Sequence, residues 1–504
     1  MKTPVEQPSG VRPQLEGYAL IGLGVAARAI GLATGTVAGV LTVVLAVRLL
    51  GPSSYGVFAF GLSTAVVFAG VGRLGLEPAV ARAVALVSKE QDAGERAEIA
   101  RGALTLVALT GVAGALATFL VVGFGTKGLD QGTRVILGVS FGLVLYSANV
   151  AAVAGALTRG AGHVGLMELP NLAATLARLG AVALLAALGI DKVGWLAAGF
   201  AGAAVVGLVM SRGVMRVVLR SSRARAPHLP AARGLLSVAL PFAVTGLAVI
   251  VISRFDVIVL GLSGSSADVG EYEPVLRIVE QAMLLVPLLF TAQFLPVATR
   301  AFTAGDQAGF DELYVNISKL VFVVSFPAIV LLAAFPETVL HALYGADFPA
   351  RGLIVWLLLT GFVVNLALGL NTSALAAAGS RLPLARSGIV ATASMIVLAF
   401  ALIPSYGATG AAISTSATYV VFNLWVSVEL HRATGAHPLR PDLLLVIVTA
   451  TVPVAVALVV RSRLEPSSLW GALLWSCVVT LGWIGLLLAT RLLRREELRR
   501  LLPW

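Results

Sequence analysis

Long apolar runs follow one another through almost the whole chain, and this pattern leaves few folds open. Of the 504 residues, 58% are hydrophobic and only 12% are charged, and the mean hydropathy is +0.95. A helix that crosses a bilayer needs about 20 predominantly apolar residues, and a soluble domain has no use for so many runs of that length. The pattern therefore predicts an all-α polytopic membrane protein with about fourteen transmembrane helices.

We divide these runs into two groups of six and a final pair. The first group is Leu20–Leu49, Gly56–Leu76, Gly102–Phe124, Arg134–Leu157, Leu166–Leu188 and Val193–Met215. The second group is Leu235–Leu262, Tyr272–Ala298, Ile317–Leu343, Gly352–Ala378, Pro383–Ile403 and Ala408–Leu430. The final pair is Leu443–Val460 and Leu469–Thr490. The predicted domains are a disordered cytoplasmic tail at 1–17, an N-lobe at 18–216, a basic cytoplasmic linker at 217–234, a C-lobe at 235–431, helices 13 and 14 at 432–490, and a basic amphipathic tail at 491–504.

The charges of the loops predict the orientation. With the N-terminus in the cytoplasm, the inner segments carry about 23 lysines and arginines and the outer ones about seven, which is the positive-inside bias. The segment Arg212–Arg233 is the clearest case, because it contains no acidic residue and carries Arg212, Arg216, Arg220, Arg223, Arg225 and Arg233. We therefore expect both termini in the cytoplasm and the protein in the cytoplasmic membrane. The net charge of +11 reflects this orientation and anionic lipid rather than nucleic acid as a partner.

Weak internal matches at nearly one separation indicate a repeat. Tyr55-Gly56 matches Val269-Gly270 at a shift of about 214 residues, and two further pairs match at about 216 to 218. Those pairs are Ala156-Leu157 with Ala374-Leu375, and Val193-Gly194 with Thr409-Gly410. An even number of helices per repeat preserves orientation, so the two six-helix repeats are predicted to be parallel. Transporters with this design bind their substrate between the halves, near the midplane of the membrane.

Three turns carry a family resemblance. They are Gly51-Pro52-Ser53-Ser54-Tyr55-Gly56, Leu343-Tyr344-Gly345-Ala346-Asp347-Phe348 and Ile403-Pro404-Ser405-Tyr406-Gly407-Ala408-Thr409-Gly410-Ala411-Ala412. Together they resemble turns of the polysaccharide-type lipid-linked oligosaccharide flippases, whose superfamily includes lipid II flippases and multidrug and toxin extruders. Arg48 and Tyr55 beside the first turn are expected to anchor the helix at the headgroups. One departure is Tyr272-Glu273-Pro274, where the family usually has Tyr-x-x-Ala.

The resemblance implies a transporter, not an enzyme. Its substrate would be an undecaprenyl-pyrophosphate-linked oligosaccharide repeat unit, moved across the cytoplasmic membrane by alternating access for export of a surface polysaccharide. The implied partners are this polyprenyl-pyrophosphate-linked oligosaccharide, the membrane lipids, and the polysaccharide polymerase with its chain-length machinery. We expect no cofactor and no metal, because the single cysteine, Cys477, and the five scattered histidines lack metal-ligand spacing.

Charges inside the predicted helices are the candidate functional residues. Each costs about 2.5–3.5 kcal/mol at the centre of a helix on insertion scales, so it tends to face a cavity or a partner. A guanidinium suits the pyrophosphate, since its planar fork binds phosphate oxygens and stays charged. The resemblance implies a cavity lined mainly by helices 1, 2, 7 and 8, so we predict that Arg28, Arg254 and Arg277 bind the substrate. Arg178 in helix 5 is a second-rank candidate, and Asp256 and Glu280 are candidate ion-coupling or charge-partner residues.

Each of these charges also has a purely structural explanation. Arg277 and Glu280 lie three residues apart on one helix face and could neutralise each other. Arg254 could pair with another helix, and Arg178 could form a bridge within the first half of the chain. Arg28 could reach the inner interface along its aliphatic stem. These alternatives stay open at the level of sequence.

Two other functions compete with the flippase. A cation-coupled drug extruder of the same superfamily would have a cavity dominated by acids, whereas arginines outnumber acids among the intramembrane charges here. A membrane glycosyltransferase or polymerase would need a sizeable outer loop with acids or histidines to bind sugars. The predicted outer segments are short and poor in such groups, and no catalytic motif occurs in the chain.

Overall fold

A computed structural model describes residues 11–73, 75–87, 93–126, 128–219, 229–436, 440–461, 468–490 and 492. Residues 1–10 of the predicted N-terminal tail, residues 220–228 of the predicted linker, and the predicted tail at 491–504 apart from residue 492 lie outside the described residues. The side chain of Arg28 does as well. Within the described residues every regular element is a helix, which confirms the predicted all-α fold.

The described chain forms fifteen α-helices and one short 3₁₀ turn at Val164–Leu166. The helices are α1 (Val11–Arg73), α2 (Leu76–Leu86), α3 (Ala93–Gly125), α4 (Gln131–Gly160), α5 (Leu169–Ala187), α6 (Val193–Val218), α7 (Leu229–Ser263), α8 (Ser266–Thr303), α9 (Gln307–Ala334), α10 (Pro336–Tyr344), α11 (Gly352–Ala367), α12 (Asn371–Ala377), α13 (Arg381–Thr434), α14 (Pro441–Arg461) and α15 (Leu469–Ala489).

Eleven segments of the described chain are long and apolar enough to cross a membrane. Two of them contain a sharp bend at a glycine with positive φ, since α1 turns at Gly51 (φ 70°) and α13 at Gly407 (φ 54°). Each of these helices therefore comprises two of the predicted spans. With the shorter apolar helix Leu443–Val459, the described chain accounts for the predicted set of about fourteen. The protein is a multi-pass membrane protein.

Two predicted spans are interrupted. The predicted helix Ile317–Leu343 breaks at Phe335, and α10 starts with Pro336, a residue that suits the first turn of a helix because it has no N–H to leave unpaired. The predicted helix Gly352–Ala378 breaks at Gly369, whose φ is +66°. An added Cβ at Gly369 would lie 1.9 Å from the hydroxyl oxygen of Ser318, so the break brings the backbone against α9.

The chain divides into two compact units. The first comprises Met1–Val43 and Phe68–Gly246, and the second comprises Val44–Val67 and Leu247–Trp504. The segment around the bend of α1 thus belongs to the second unit. The predicted lobe boundaries at 216 and 235 stay a prediction.

Helix α4 is central in the first unit and α9 in the second. Helix α4 packs against α2, α3, α5 and α6. Helix α9 packs against α8, α11, α14 and α15, and Phe326 on α9 stacks on Trp483 of α15 at a ring distance of 4.1 Å. An ion pair of 2.7 Å between Arg461 and Glu337 links the end of α14 to α10.

The repeat-related turns of the second unit contact each other reciprocally. A Cβ added at Gly56 would lie 1.7 Å from the carbonyl oxygen of Ser266, and one added at Gly270 would lie 1.8 Å from the carbonyl oxygen of Pro52. The same separation of 214 residues relates Gly56 to Gly270 and Pro52 to Ser266. The two contacts are therefore equivalents of each other under the repeat. Only glycine fits at either position, because the neighbour is backbone.

Candidate functional site

A cluster of charged side chains lies within α7 and α8 of the second unit. Arg254 pairs with Glu280 at 2.9 Å between Nη2 and Oε2, and both side chains are nearly buried. Arg277 pairs with Glu273 at 2.6 Å between Nε and Oε1. Among the described residues, Arg277 therefore forms its ion pair with Glu273, one helical turn earlier. It does not pair with Glu280, the partner that the sequence spacing suggested. Glu280 instead bridges α8 to α7.

Glu273 also binds a residue far away in sequence. The Tyr55 hydroxyl donates a 2.6 Å hydrogen bond to Glu273 Oε2, and Tyr55 is 3% exposed. The expectation that Tyr55 anchors the helix at the headgroups is therefore wrong, because its hydroxyl finds a buried carboxylate. Arg48, the other expected anchor, donates hydrogen bonds of 2.6 and 2.7 Å to the carbonyls of Ala342 and Leu343 at the end of α10.

Tyr344 also contacts this network. Its hydroxyl donates a 2.9 Å hydrogen bond to the Pro274 carbonyl on α8. Burial and the negative charge of Glu273 raise the pKa of Tyr344 well above its ordinary value. The hydroxyl therefore stays protonated and remains a donor. Tyr344 belongs to one of the three turns that resemble those of the flippases. This turn is therefore hydrogen-bonded directly to α8, which carries Glu273 and Pro274.

Asp256 lies on α7 and is fully buried. Its carboxylate accepts hydrogen bonds from the Tyr272 hydroxyl on α8, from the Thr415 hydroxyl on α13 at 2.6 Å, and from the backbone N–H of Val257 at 2.8 Å. The Tyr272 and Thr415 hydroxyls are 2.9 Å apart. Among the described residues, Asp256 forms no ion pair. Its carboxyl oxygens are hydrogen-bonded by hydroxyl donors from two other helices and by one backbone N–H.

The charge balance of the cluster differs from the expected one. It contains two arginines, Arg254 and Arg277, and three carboxyl groups, Glu273, Glu280 and Asp256. Each arginine is held by an acid, so the cluster carries no excess positive charge. The role of Arg254 and Arg277 in substrate binding stays a prediction.

Arg178 lies in the first unit, in the span formed by α5. Its guanidinium carbon is 5.7 Å from the centre of the Phe200 ring on α6, a cation–π contact. Its Nε is buried and has no hydrogen-bond partner, and within the described chain Arg178 forms no ion pair. The bridge within the first half of the chain, which the sequence left open, is therefore absent from the described residues. Arg178, a second-rank candidate by sequence, is the intramembrane arginine whose charge no carboxylate balances there.

Sequence reasoning missed four members of the cluster as site residues. Glu273 stood out as a departure from the family pattern, and its spacing of four from Arg277 on one helix would have indicated the pair. Tyr272, Tyr55 and Thr415 gave no such signal. Thr415 lies 159 residues from Asp256 in sequence, and hydroxyl residues are too common in membrane helices for one to stand out.

Comparisons with known proteins fit this architecture. The family model described as "Polysaccharide biosynthesis protein" matches residues 24–302, more than half of the chain. The chain belongs to this family. No curated protein matches it significantly. Among the described residues, no group of three histidine, cysteine or acidic side chains could hold a metal ion.

Solved structures show what fold this polysaccharide biosynthesis protein has. It is similar to "Lipid II flippase MurJ, inward closed conformation", with a TM-score of 0.74 and 14% identity over 92% of this chain and 99% of that one. It is also similar to an inward-facing multidrug resistance MATE family transporter of the MOP superfamily, with a TM-score of 0.62 and 16% identity over 81% of this chain and 99% of that one. At such identities the likeness establishes a flippase and transporter fold.

Proposed function

We propose that this protein is a flippase that moves an undecaprenyl-pyrophosphate-linked oligosaccharide repeat unit across the cytoplasmic membrane by alternating access. Its product serves the export of a surface polysaccharide. Family membership and the fold support a lipid-linked sugar as the substrate. The observation that carries the proposal concerns Arg178. Its guanidinium lies inside a membrane span, and no carboxylate among the described residues neutralises its charge. Such a charge is expensive in a membrane unless an anion binds it.

The arginines have different roles in this proposal. Arg178 meets the pyrophosphate directly, together with Arg28 on α1. Arg254 and Arg277 bind the pyrophosphate only when Glu280 and Glu273 release them, because a guanidinium fork that is already hydrogen-bonded to a carboxylate has fewer donors to offer. Substrate binding then competes with the two ion pairs. This exchange would make the ionic state of the cluster depend on the position of the substrate.

Asp256 and Glu280 are the proposed coupling or charge-partner residues. Asp256 is bonded to hydroxyls rather than to an arginine, so a proton on it would change the charge of the cluster without leaving an arginine unpaired. We place both termini in the cytoplasm on the basis of the loop charges. The polysaccharide polymerase and its chain-length machinery would then receive the unit on the outer face.

Deletion of the gene gives the first test. We expect an undecaprenyl-linked repeat unit to accumulate on the cytoplasmic side and the surface polymer to disappear, because synthesis of the unit continues while its passage stops. Mass spectrometry of extracted lipids, with and without enzymatic labelling from outside the cell, measures the amount and the sidedness. If the lipid-linked repeat unit has its normal sidedness and the surface polymer is present in normal amount, the flippase function is contradicted.

The same strain tests a second candidate, a cation-coupled drug extruder. The observation that favours it is the cluster on α7 and α8, in which acids outnumber arginines. An extruder predicts unchanged lipid-linked sugars and lower resistance to cationic drugs after deletion. Resistance measured in liquid culture, in parallel with the lipid analysis, separates the two functions.

Replacing Arg178 tests the role of its charge. Arg178→Gln keeps a long polar side chain and removes the cation, so the phosphate loses a charge-assisted hydrogen bond worth about 1.5–3 kcal/mol. We expect translocation at limiting substrate to fall about tenfold to a hundredfold. Arg216→Gln, at the exposed end of α6, is the matched control and should leave translocation unchanged. Equal rates in the two variants, at equal amounts of protein in the membrane, would remove Arg178 from the binding site.

A further inference from the structure

A polar cavity lies inside the first unit, where α1 ends and α5 begins. Its volume is about 190 Å³, and its lining includes Arg73, Glu77, Arg159, Glu168 and Asn171. One water in the liquid takes up about 30 Å³, so the cavity has room for a group larger than a few waters. It is smaller than the pockets of about 300–1,000 Å³ that enclose whole drug-sized ligands. It therefore suits one ring of a larger molecule.

One side of the cavity is fixed by hydrogen bonds. Arg73 donates from Nε to Oδ1 of the buried Asn149, at 3.2 Å, and pairs through Nη1 with Glu77 Oε1, also at 3.2 Å. Both bonds join elements of the first unit, the end of α1 with α4 and with α2. The positions of Arg73 and Glu77 are thus set before any ligand enters.

Several polar atoms of the lining have no partner among the described residues. Arg159 uses its Nε for a weak contact with the sulfur of Met167, at 3.3 Å, and its two terminal nitrogens make no hydrogen bond. Glu77 uses one carboxylate oxygen for Arg73 and leaves the other free. The side-chain amide of Asn171 makes no hydrogen bond either. The cavity thus offers hydrogen-bond donors on Arg159, an acceptor on Glu77, and the amide of Asn171, which can both donate and accept.

This set of atoms selects the chemistry of the ligand. The lining contains two arginines and two acids, so it has no excess positive charge to attract a phosphate. An apolar group would leave the polar atoms of the lining without water or partners. A sugar ring fits, because each hydroxyl can donate and accept at once.

We propose that this cavity binds a sugar ring of the lipid-linked substrate, an assignment that rests on the proposed flippase function. Its relation to Arg178 supports the assignment. Asn171 and Arg178 lie seven residues apart on α5, hence on one face and about 10 Å apart along the helix. One face of α5 can therefore hold a sugar at Asn171 and the pyrophosphate at Arg178.

The test compares two lipids on the purified full-length protein. The probes are undecaprenyl pyrophosphate and undecaprenyl-pyrophosphate-linked N-acetylglucosamine, and native mass spectrometry measures the affinity for each. We expect the wild type to bind the sugar-bearing lipid more tightly. Asn171→Leu and Arg159→Gln should each lower the affinity for the sugar-bearing lipid by about tenfold, since each removes hydrogen bonds to the sugar alone. The affinity for undecaprenyl pyrophosphate should stay unchanged. Both positions are exposed enough to accept the change without unfolding.

The controls separate this inference from the proposed function. Gln131→Leu removes an exposed amide at the opposite end of α4 and should keep the preference for the sugar. Equal wild-type affinity for the two lipids, or a preference that survives both cavity variants, overturns the sugar site and leaves the flippase standing; the cavity then holds water. Failure of the wild type to bind either lipid more tightly than phosphatidylethanolamine overturns both proposals.

Discussion

At the scale of single residues, each arginine of the α7 and α8 cluster is matched with an acid. Arg277 has an acid one turn before it and another three residues after it, and it pairs with Glu273 because Glu280 is occupied by Arg254. Tyr55 adds a donor to the second oxygen of Glu273. Glu273 therefore binds two partners from different parts of the chain, Arg277 and Tyr55. Removing its carboxylate should destabilise the positions of both.

Glu273→Gln should destabilise the protein strongly. The substitution keeps the shape but leaves the Arg277 cation without its acid, and breaking a buried pair from one side costs about 3–5 kcal/mol. The midpoint of thermal unfolding in detergent measures the loss. Glu271→Gln is the matched control, two residues earlier on α8, because its partner Arg351 is 55% exposed and such pairs contribute about 1 kcal/mol or less. Similar shifts in both variants would mean that the Glu273 pair is no stronger than a surface pair.

At the scale of elements, bends at glycine set the positions of the charged side chains. The bend of α1 at Gly51 carries Tyr55 and Gly56 against α8, and the bend of α13 at Gly407 precedes the turn of helix that presents Thr415 to Asp256. Gly56 lets the α1 and α8 backbones touch, so the Tyr55–Glu273 bond depends on a residue without a side chain.

Gly56→Ala should separate these backbones. The added methyl would start 1.7 Å from the Ser266 carbonyl oxygen, and overpacking of this kind costs about 1–3 kcal/mol or more when backbone must move. We expect a lower unfolding midpoint and weaker function together. Gly39→Ala on the same helix is the control, since a Cβ there meets nothing within 4 Å and alanine favours the helix. A Gly56→Ala protein as stable as the control would contradict the close approach.

At the scale of the whole molecule, the buried ionic cluster belongs to the second unit and the polar cavity to the first. The cluster lies among α7, α8 and α13 with the bend of α1, and the cavity lies among α1, α2, α4 and α5. The two units therefore differ in chemistry although the repeat relates their sequences. The predicted coupling residues Asp256 and Glu280 both lie in the second unit.

Asp256→Asn should uncouple transport from an ion gradient if Asp256 is the coupling site. The amide oxygen can still accept from Tyr272 and Thr415, so the variant removes the titrating group and keeps these two bonds, while the bond from the Val257 N–H is lost. Translocation in proteoliposomes, with an imposed proton or sodium gradient, measures the effect. Thr415→Val is the control, because it removes one hydrogen bond and keeps the carboxylate. If the gradient accelerates transport in Asp256→Asn as in the wild type, the coupling role is discarded.

The sequence by itself determined the membrane spans, the all-α class, the glycine turns and the repeat. These features are local, or repeat at a fixed separation, and apolar length or a Gly-Pro pair expresses them directly. Only the tertiary structure decided the partners: Glu280 for Arg254, Tyr55 for Glu273, and Thr415 for Asp256. It also placed Arg178 over Phe200, where no acid of the described residues pairs with it. The reason is physical, because an ion pair or hydrogen bond between helices depends on which faces the packing brings within about 3 Å, and residues far apart in sequence carry no local sign of that distance.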